Sequence, residues 1–237
     1  MLRRLRAGAR IAPRAVHQDS RAAHVALLST QAGPLAGDRD ALQIVVGPGA
    51  SLVVTWVAGT VALPGRDAIA LDTEALVGPG GRLVLEDAVT VVAAGALVRR
   101  RTRVDLEEGA VAAVREAVVL GRAGEGPATV DTQLNATLGG SPLLEDALRI
   151  DPRFDASHVA LRPGHRAVVS AAHLGTRAGE DLEDGGLLHC ELPGVLRRAT
   201  GKELASANSA CAAAWTAFRA AVIDAPSEEL ATLLRSS

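Results

Sequence analysis

Two short stretches of this 237-residue sequence carry side chains able to do acid–base or metal chemistry. The first is the Gly-rich run QAGPLAGDR, from Gln31 to Arg39, which contains Asp38. The second holds Arg115 and Glu116, followed after Leu120 by GRAGE with Arg122 and Glu125. The carboxylates of Asp38, Glu116 and Glu125 could act as general acids or bases, or lend oxygen ligands to a divalent ion. Taken singly, each also has a plainer role. Asp38 would cap its own turn, Arg122 and Glu125 would pair across a loop, and Glu116 would sit on a solvated strand face.

Several other chemistries have no residues to carry them. No G-x-x-x-x-G-K-[ST] occurs and Lys202 is the only lysine, which rules out a P-loop. H-E-x-x-H, C-x-x-C and G-x-S-x-G are absent, and with them the commonest zinc and serine-hydrolase signals. The six histidines, at 17, 24, 158, 165, 173 and 189, have no ligand spacing on a single predicted element. His158, His165 and His173 could gather loosely across strands, but isolated surface or core-edge positions account for them better. His189 and Cys190 would point to opposite faces of a strand and chelate poorly.

The elements that must hold these residues follow from a recurring pattern. VGPGASLVV from Val46 returns as VGPGGRLVL from Val77, VAAGALVRR from Val92, LEEGAVAAV from Leu106 and LRPGHRAVV from Leu161. Gly49, Gly80, Gly95, Gly109 and Gly164 stand at the same place in each copy, where a turn with positive φ selects glycine. The irregular spacing predicts recurring strand-turn-strand units rather than a strict solenoid period. Gly47-Pro48-Gly49 is expected to close a hairpin between Gln43–Val46 and Leu52–Val57.

Between Val98 and Leu106, Val98, Thr102, Val104 and Leu106 alternate with Arg99, Arg101, Arg103 and Asp105, with Arg100 interrupting the apolar face. That is a half-buried strand with a basic outer face. Further strands are expected at Ala22–Leu28, at residues 110–120, at Thr129–Leu138, at Leu143–Ile150 and at residues 158–174. Leu187 to Leu192 would close the β part. From Glu203 to Val222 the chain is Ala-rich, with Leu204, Cys211, Trp215, Phe218 and Val222 on one helical face. A second short helix is expected from Pro226-Ser227. The expected fold is therefore mainly β: a layered, β-helix-like body over residues 1–192 and a C-terminal helical segment over 193–237, packed on the body or on a partner.

Composition narrows the partners. A net charge of -2 and only 2% aromatic residues leave neither a basic field nor a stacking platform for nucleic acid. Two cysteines make no disulfide framework and fit a reducing cytosol, so a cytoplasmic location is expected. The Arg-rich start has no acidic residue before Asp19, as in a transit peptide, but the alternation of Leu5, Ile11 and Val16 with Pro13 fits a first edge strand better. No run approaches the ~18 apolar residues of a membrane span.

In their order, the strand ending LLST, then AGPLAGDR, then VGPGASLVV, then the R-x-R-V-x-L strand and RE-x-V-V-L-GR-x-GE, resemble the UreD (UreH) family of urease accessory proteins. The likeness covers roughly residues 22–150, and ATGKEL near 199–204 is similar to the high-GC bacterial branch. The resemblance implies a β-helix-like fold and a non-enzymatic chaperone that works with UreF and the GTPase UreG on apo-urease. It also implies an internal route for transient Ni²⁺ with no permanently bound cofactor. Asp38, Glu116, Arg122 and Glu125 match its motifs and become candidates for the metal route or an interface; Trp215 and Phe218 become candidates for docking a partner. Two readings from other classes are a β-rich hydrolase using Asp38, Glu116 and Glu125, and a β-repeat binding module without metal.

Overall fold

The computed structural model describes residues 2–19, 21–126, 128–151, 161, 164–177 and 186–223. The strands of the first half are β1 (Ile11–Gln18), β2 (Ala23–Ser29), β3 (Arg39–Val46), β4 (Ser51–Trp56), β5 (Thr60–Ala62), β6 (Ile69–Val77) and β7 (Arg82–Val92). Those of the second half are β8 (Leu97–Leu106), β9 (Val111–Leu120), β10 (Thr129–Leu138), β11 (Ser141–Ile150), β12 (Ala167–Leu174), β13 (Leu187–His189) and β14 (Gly194–Gly201). One helix follows, α1 (Leu204–Ile223).

The chain winds in stacked two-sided coils. β2, β4, β7 and β9 pair in parallel in a large sheet, and β3, β6, β8 and β10 pair in parallel in a small one. Successive strands alternate between the two. Antiparallel strands finish the stack: β1 on β2, β11 on β10, and β12, β14 and β13 in turn beyond β9.

The glycine repeat marks the corners of these coils. Gly49, Gly80 and Gly109 have φ of 61°, 61° and 69° and carry the chain from the small sheet to the large one. The corners hydrogen-bond to one another, Gly49 N to Pro79 O and Gly80 N to Glu108 O, both at 2.9 Å. Gly95 turns the opposite corner, between β7 and β8, and Gly164 precedes β12 outside the coils.

The expected hairpin at Gly47-Pro48-Gly49 does not form, because β3 pairs with β6 while β4 pairs with β2 and β7. Pro48 and a positive φ at Gly49 alone, closed by Ala50 N to Gly47 O, suit a type II turn. Such a turn splays its flanking strands, whereas tight hairpins need the primed types. β5 and β6 likewise join different sheets rather than each other.

Two apolar clusters fill the space between the sheets. One lies under the glycine corners and includes Val46, Val77, Leu83, Leu106 and Ala112. The other lies toward the opposite corner and includes Ile69, Val92, Val98, Leu120 and Val130. A third cluster joins the outer face of the large sheet to α1, where Ala207, Cys211, Ala214, Phe218 and Val222 meet Ala113, Ala171, Val195 and Ala199. Small residues on both surfaces let the helix lie close to the sheet.

The sheet runs through β14 to Gly201, and α1 starts at Leu204. The second helix expected from Pro226 lies outside the described residues, as does most of 158–163. Among the described residues, no helix is long and apolar enough to cross a membrane.

Candidate functional site

A belt of polar side chains separates the two inner apolar clusters. In the large sheet, β7 has an irregularity between Glu86 and Val89, and Asp87 and Ala88 there line a partly open cavity. An irregular pair of residues breaks the two-residue alternation and re-aims side chains. The pairing then sets Glu116 of β9 beside Ser170 of β12, and Ser170 beside Arg198 of β14. In the small sheet, Leu71, Arg100 and Thr132 form one row, and Thr73, Thr102, Leu134 and Asp146 the next.

These groups bond across the interior. Arg100 Nη2 donates to Thr90 Oγ1 at 2.8 Å and lies 2.9 Å from Asp87 Oδ2. Thr102 Oγ1 donates to Glu116 Oε1. Arg198 pairs with Asp146 and donates to Ser170 Oγ at 3.2 Å. At the other end, Arg10 Nε donates to Asp40 Oδ1 at 2.7 Å, and Arg10 Nη1 pairs with Asp38 Oδ2 at 2.5 Å. The belt thus runs along the coil axis from Asp38 and Asp40 to Asp146.

Two cavities lie along it. One of about 60 Å³ is lined by Arg10, Asp40, Thr73, Asp87, Thr90 and Arg100 among others. A smaller one of about 20 Å³ is lined by Glu116, Thr132 and Ser170 with apolar neighbours. Between them stand Arg100 and the Thr102–Glu116 pair. Arg100 Nη1 is buried with no hydrogen-bond partner among the described residues.

Of the expected site residues, the fold brings Glu116 into the middle of this belt and Asp38 to its end. Arg115, next to Glu116, faces the other way and donates to Asn208 Oδ1 on α1 at 2.8 Å. Burial pushes the Glu116 carboxyl above the ordinary glutamate range, opposed by the Arg100 charge and the Thr102 hydrogen bond. Asp38 joins the belt through Arg10, while its Oδ2 also accepts from Leu35 N at 2.7 Å and closes its own turn. That backbone bond, then Arg10, holds its carboxyl below the usual range.

Arg122 and Glu125 lie elsewhere, on the loop from β9 to β10. Glu125 accepts from Arg122 Nε at 2.6 Å, from Arg122 N at 2.8 Å and from Ala94 N at 3.1 Å. These bonds lower its carboxyl to about 2, led by the Arg122 side chain. The pair fastens this loop to the Gly95 corner. Of the three carboxylates, Glu116 lines the smaller cavity, while Asp38 and Glu125 line neither of the two.

Phe218 is fully buried against the large sheet, its ring 5.8 Å from that of His173, and it has no surface left for a partner. Trp215 keeps part of its surface exposed beside it. His165 bonds Thr200 Oγ1 at 2.8 Å on the large sheet, so neither imidazole enters the belt.

Arg10, Asp40, Asp87, Asp146 and Arg198 also enter the belt, and no motif in the sequence marks them. Arg100 was signalled by its place on the apolar face of β8. The others are polar residues in strands or turns whose facing depends on coil register.

A family model described as UreD urease accessory protein matches residues 3–232. The chain is 36% identical over 198 residues to a urease accessory protein UreD of Parafrankia sp. (strain EAN1pec), covering 74% of this chain and 67% of that one. It is 39% identical over 181 residues to urease accessory protein UreD 1 of Streptomyces griseus subsp. griseus, covering 75% and 70%. Against urease accessory protein UreD 1 of Saccharopolyspora erythraea it is 36% identical over 152 residues, covering 62% and only 58%.

Proposed function

Because the chain belongs to the UreD urease accessory protein family, we propose that it is a non-enzymatic factor in urease maturation whose polar belt passes Ni²⁺ toward apo-urease. In this reading it works in the cytoplasm in a complex with UreF and the GTPase UreG, which supplies the nucleotide chemistry this chain has no residues for. The ion is cargo, held briefly and released.

The observation that carries the reading is the row of polar side chains through an otherwise apolar interior. Burying carboxylates and guanidiniums costs free energy that apolar side chains of similar size would not, so such a row calls for a role beyond stability. Carboxylate, hydroxyl and water oxygens bind Ni²⁺ more weakly than imidazole or thiolate, which suits passage rather than storage. The arginines between the carboxylates keep any one place from becoming a deep trap for a cation. Asp38 and Asp40 would lie at one mouth, Glu116 midway and Asp146 at the other end.

The test is activation of urease in a strain deleted for this chain and complemented with wild type, Glu116→Leu or Asp87→Leu. Urease activity and its nickel content should fall strongly in both variants, while pull-down of UreF and UreG is unchanged. Full activation of urease in the deletion strain itself would sink the proposal.

A further inference from the structure

The exposed end of the β1–β2 hairpin gathers donors of a different kind. His17 and His24 are direct cross-strand partners, and their rings stack with centroids 4.2 Å apart. Asp19 follows β1 in the connection between them. Its Oδ1 accepts from Arg21 N at 2.7 Å and from Ala22 N at 2.8 Å, which fixes the carboxylate in the turn. Its Oδ2 is thereby turned to both rings, 3.5 Å from His17 Nε2 and 3.5 Å from His24 Nε2.

We propose that His17, Asp19 and His24 form a surface site for one divalent transition-metal ion of borderline softness, such as Ni²⁺ or Zn²⁺. Two donors each about 2.1 Å from a metal, at a tetrahedral angle, are about 3.4 Å apart, close to the two imidazole–carboxylate separations here. One donor atom from each residue lies within 4.8 Å of the others. For both Nε2 lone pairs to meet one ion the stacked rings must turn well out of parallel, and the His17 ring, 56% exposed, is the one with room to do so. Two neutral imidazoles and a carboxylate prefer such a metal to Mg²⁺ or Ca²⁺, and water fills the remaining positions. The two backbone amides on Oδ1 hold the ligating carboxylate in place, as outer-shell partners do in metal sites.

The site is distinct from the belt. From Ile11, which lines the larger cavity, to His17 the strand advances six residues, about 20 Å at the usual rise. It rests on local geometry alone and stands or falls apart from urease maturation.

The experiment is calorimetric titration of the full chain with NiCl₂ or ZnCl₂ at neutral pH, beside His17→Ala/His24→Ala and Asp19→Asn. The expected result is one ion fewer bound by the double variant and at least tenfold weaker binding by Asp19→Asn. X-ray absorption of the Ni²⁺ complex should show an imidazole contribution that the double variant loses. Thermal melting without metal checks that each variant is folded, and His24→Gln replaces any that is not. Unchanged stoichiometry and affinity in a folded variant, or no uptake by wild type, overturns the proposal.

Discussion

Arg100 on the small sheet reaches across the interior to Asp87 on the large sheet, 2.9 Å from Nη2 to Oδ2, with its guanidinium almost wholly buried. The two strands that carry these residues are not hydrogen-bonded to each other, so the pair ties one wall of the coil to the other. Its attraction is offset by the cost of taking both charges out of water. Arg100→Leu leaves Asp87 without its counter-charge, and a loss of about 3 kcal/mol is expected, the low end for a buried pair because Asp87 keeps some solvent contact. Arg100→Leu with Asp87→Leu should recover most of that loss. Urea denaturation of the three proteins measures it, and a double variant no more stable than the single one contradicts this account.

Glu116 gives the interior a pH dependence of unusual sign. Its carboxyl is raised above the ordinary value of 4.5, first by burial, so the native state holds the proton over a range where the unfolded chain has released it. Stability from this residue is therefore fully present below the unfolded value and is lost as pH rises toward the folded one. Glu116→Gln keeps an oxygen to accept from Thr102 and carries no proton to lose. The melting temperature of wild type relative to Glu116→Gln should fall as pH rises from about 4.5. A difference that is flat with pH, or that grows in favour of wild type, would count against the buried carboxyl.

The corner glycines separate backbone strain from crowding. A Cβ at Gly80 would meet nothing within 4 Å, so the cost of Gly80→Ala is that of φ at 61°, about 1 to 2 kcal/mol. At Gly81 the same Cβ would stand 2.8 Å from Gly78 O and 2.9 Å from Val77 Cγ1, so Gly81→Ala must also move backbone. Gly80→Asn should be milder than Gly80→Ala, since asparagine tolerates the left-handed region. Chemical denaturation of the three variants ranks them, and equal losses would mean that the corners relax.

The glycines were legible because they report φ, a local property. They marked the strand ends, and alternation over residues 98–106 marked the inward and outward faces of β8 together with the intruding Arg100. What they could not fix was the partner of each strand. A hairpin and a coil corner share the run VGPGASLVV, and the choice between them depends on whether β4 meets β3 or β2 and β7. The belt was hidden for the same reason. Glu116, Ser170 and Arg198 are neighbours through two strand pairings spanning many residues, and Asp87 is aimed inward at an irregularity that alternation does not foresee. Taken singly, Glu116 reads as a solvated strand residue, whereas in the fold Arg115 beside it takes the outer position and bonds to α1.

The helix α1 offers a separation of stability from partner binding. Phe218 is 0% exposed and sits against His173 and the outer face of the large sheet, so Phe218→Ala opens a cavity between two surfaces of small residues. Alanine-rich packing collapses poorly around such a hole, and a loss of about 3 to 5 kcal/mol is expected. Trp215, one turn earlier and partly exposed, contributes less to that cluster. Trp215→Ala should therefore cost much less stability, and any effect on capture of UreF should exceed its effect on melting. Melting curves and UreF pull-down for both variants decide the matter. If Trp215→Ala lowers the melting temperature as far as Phe218→Ala does, the indole belongs to the body and not to a docking surface.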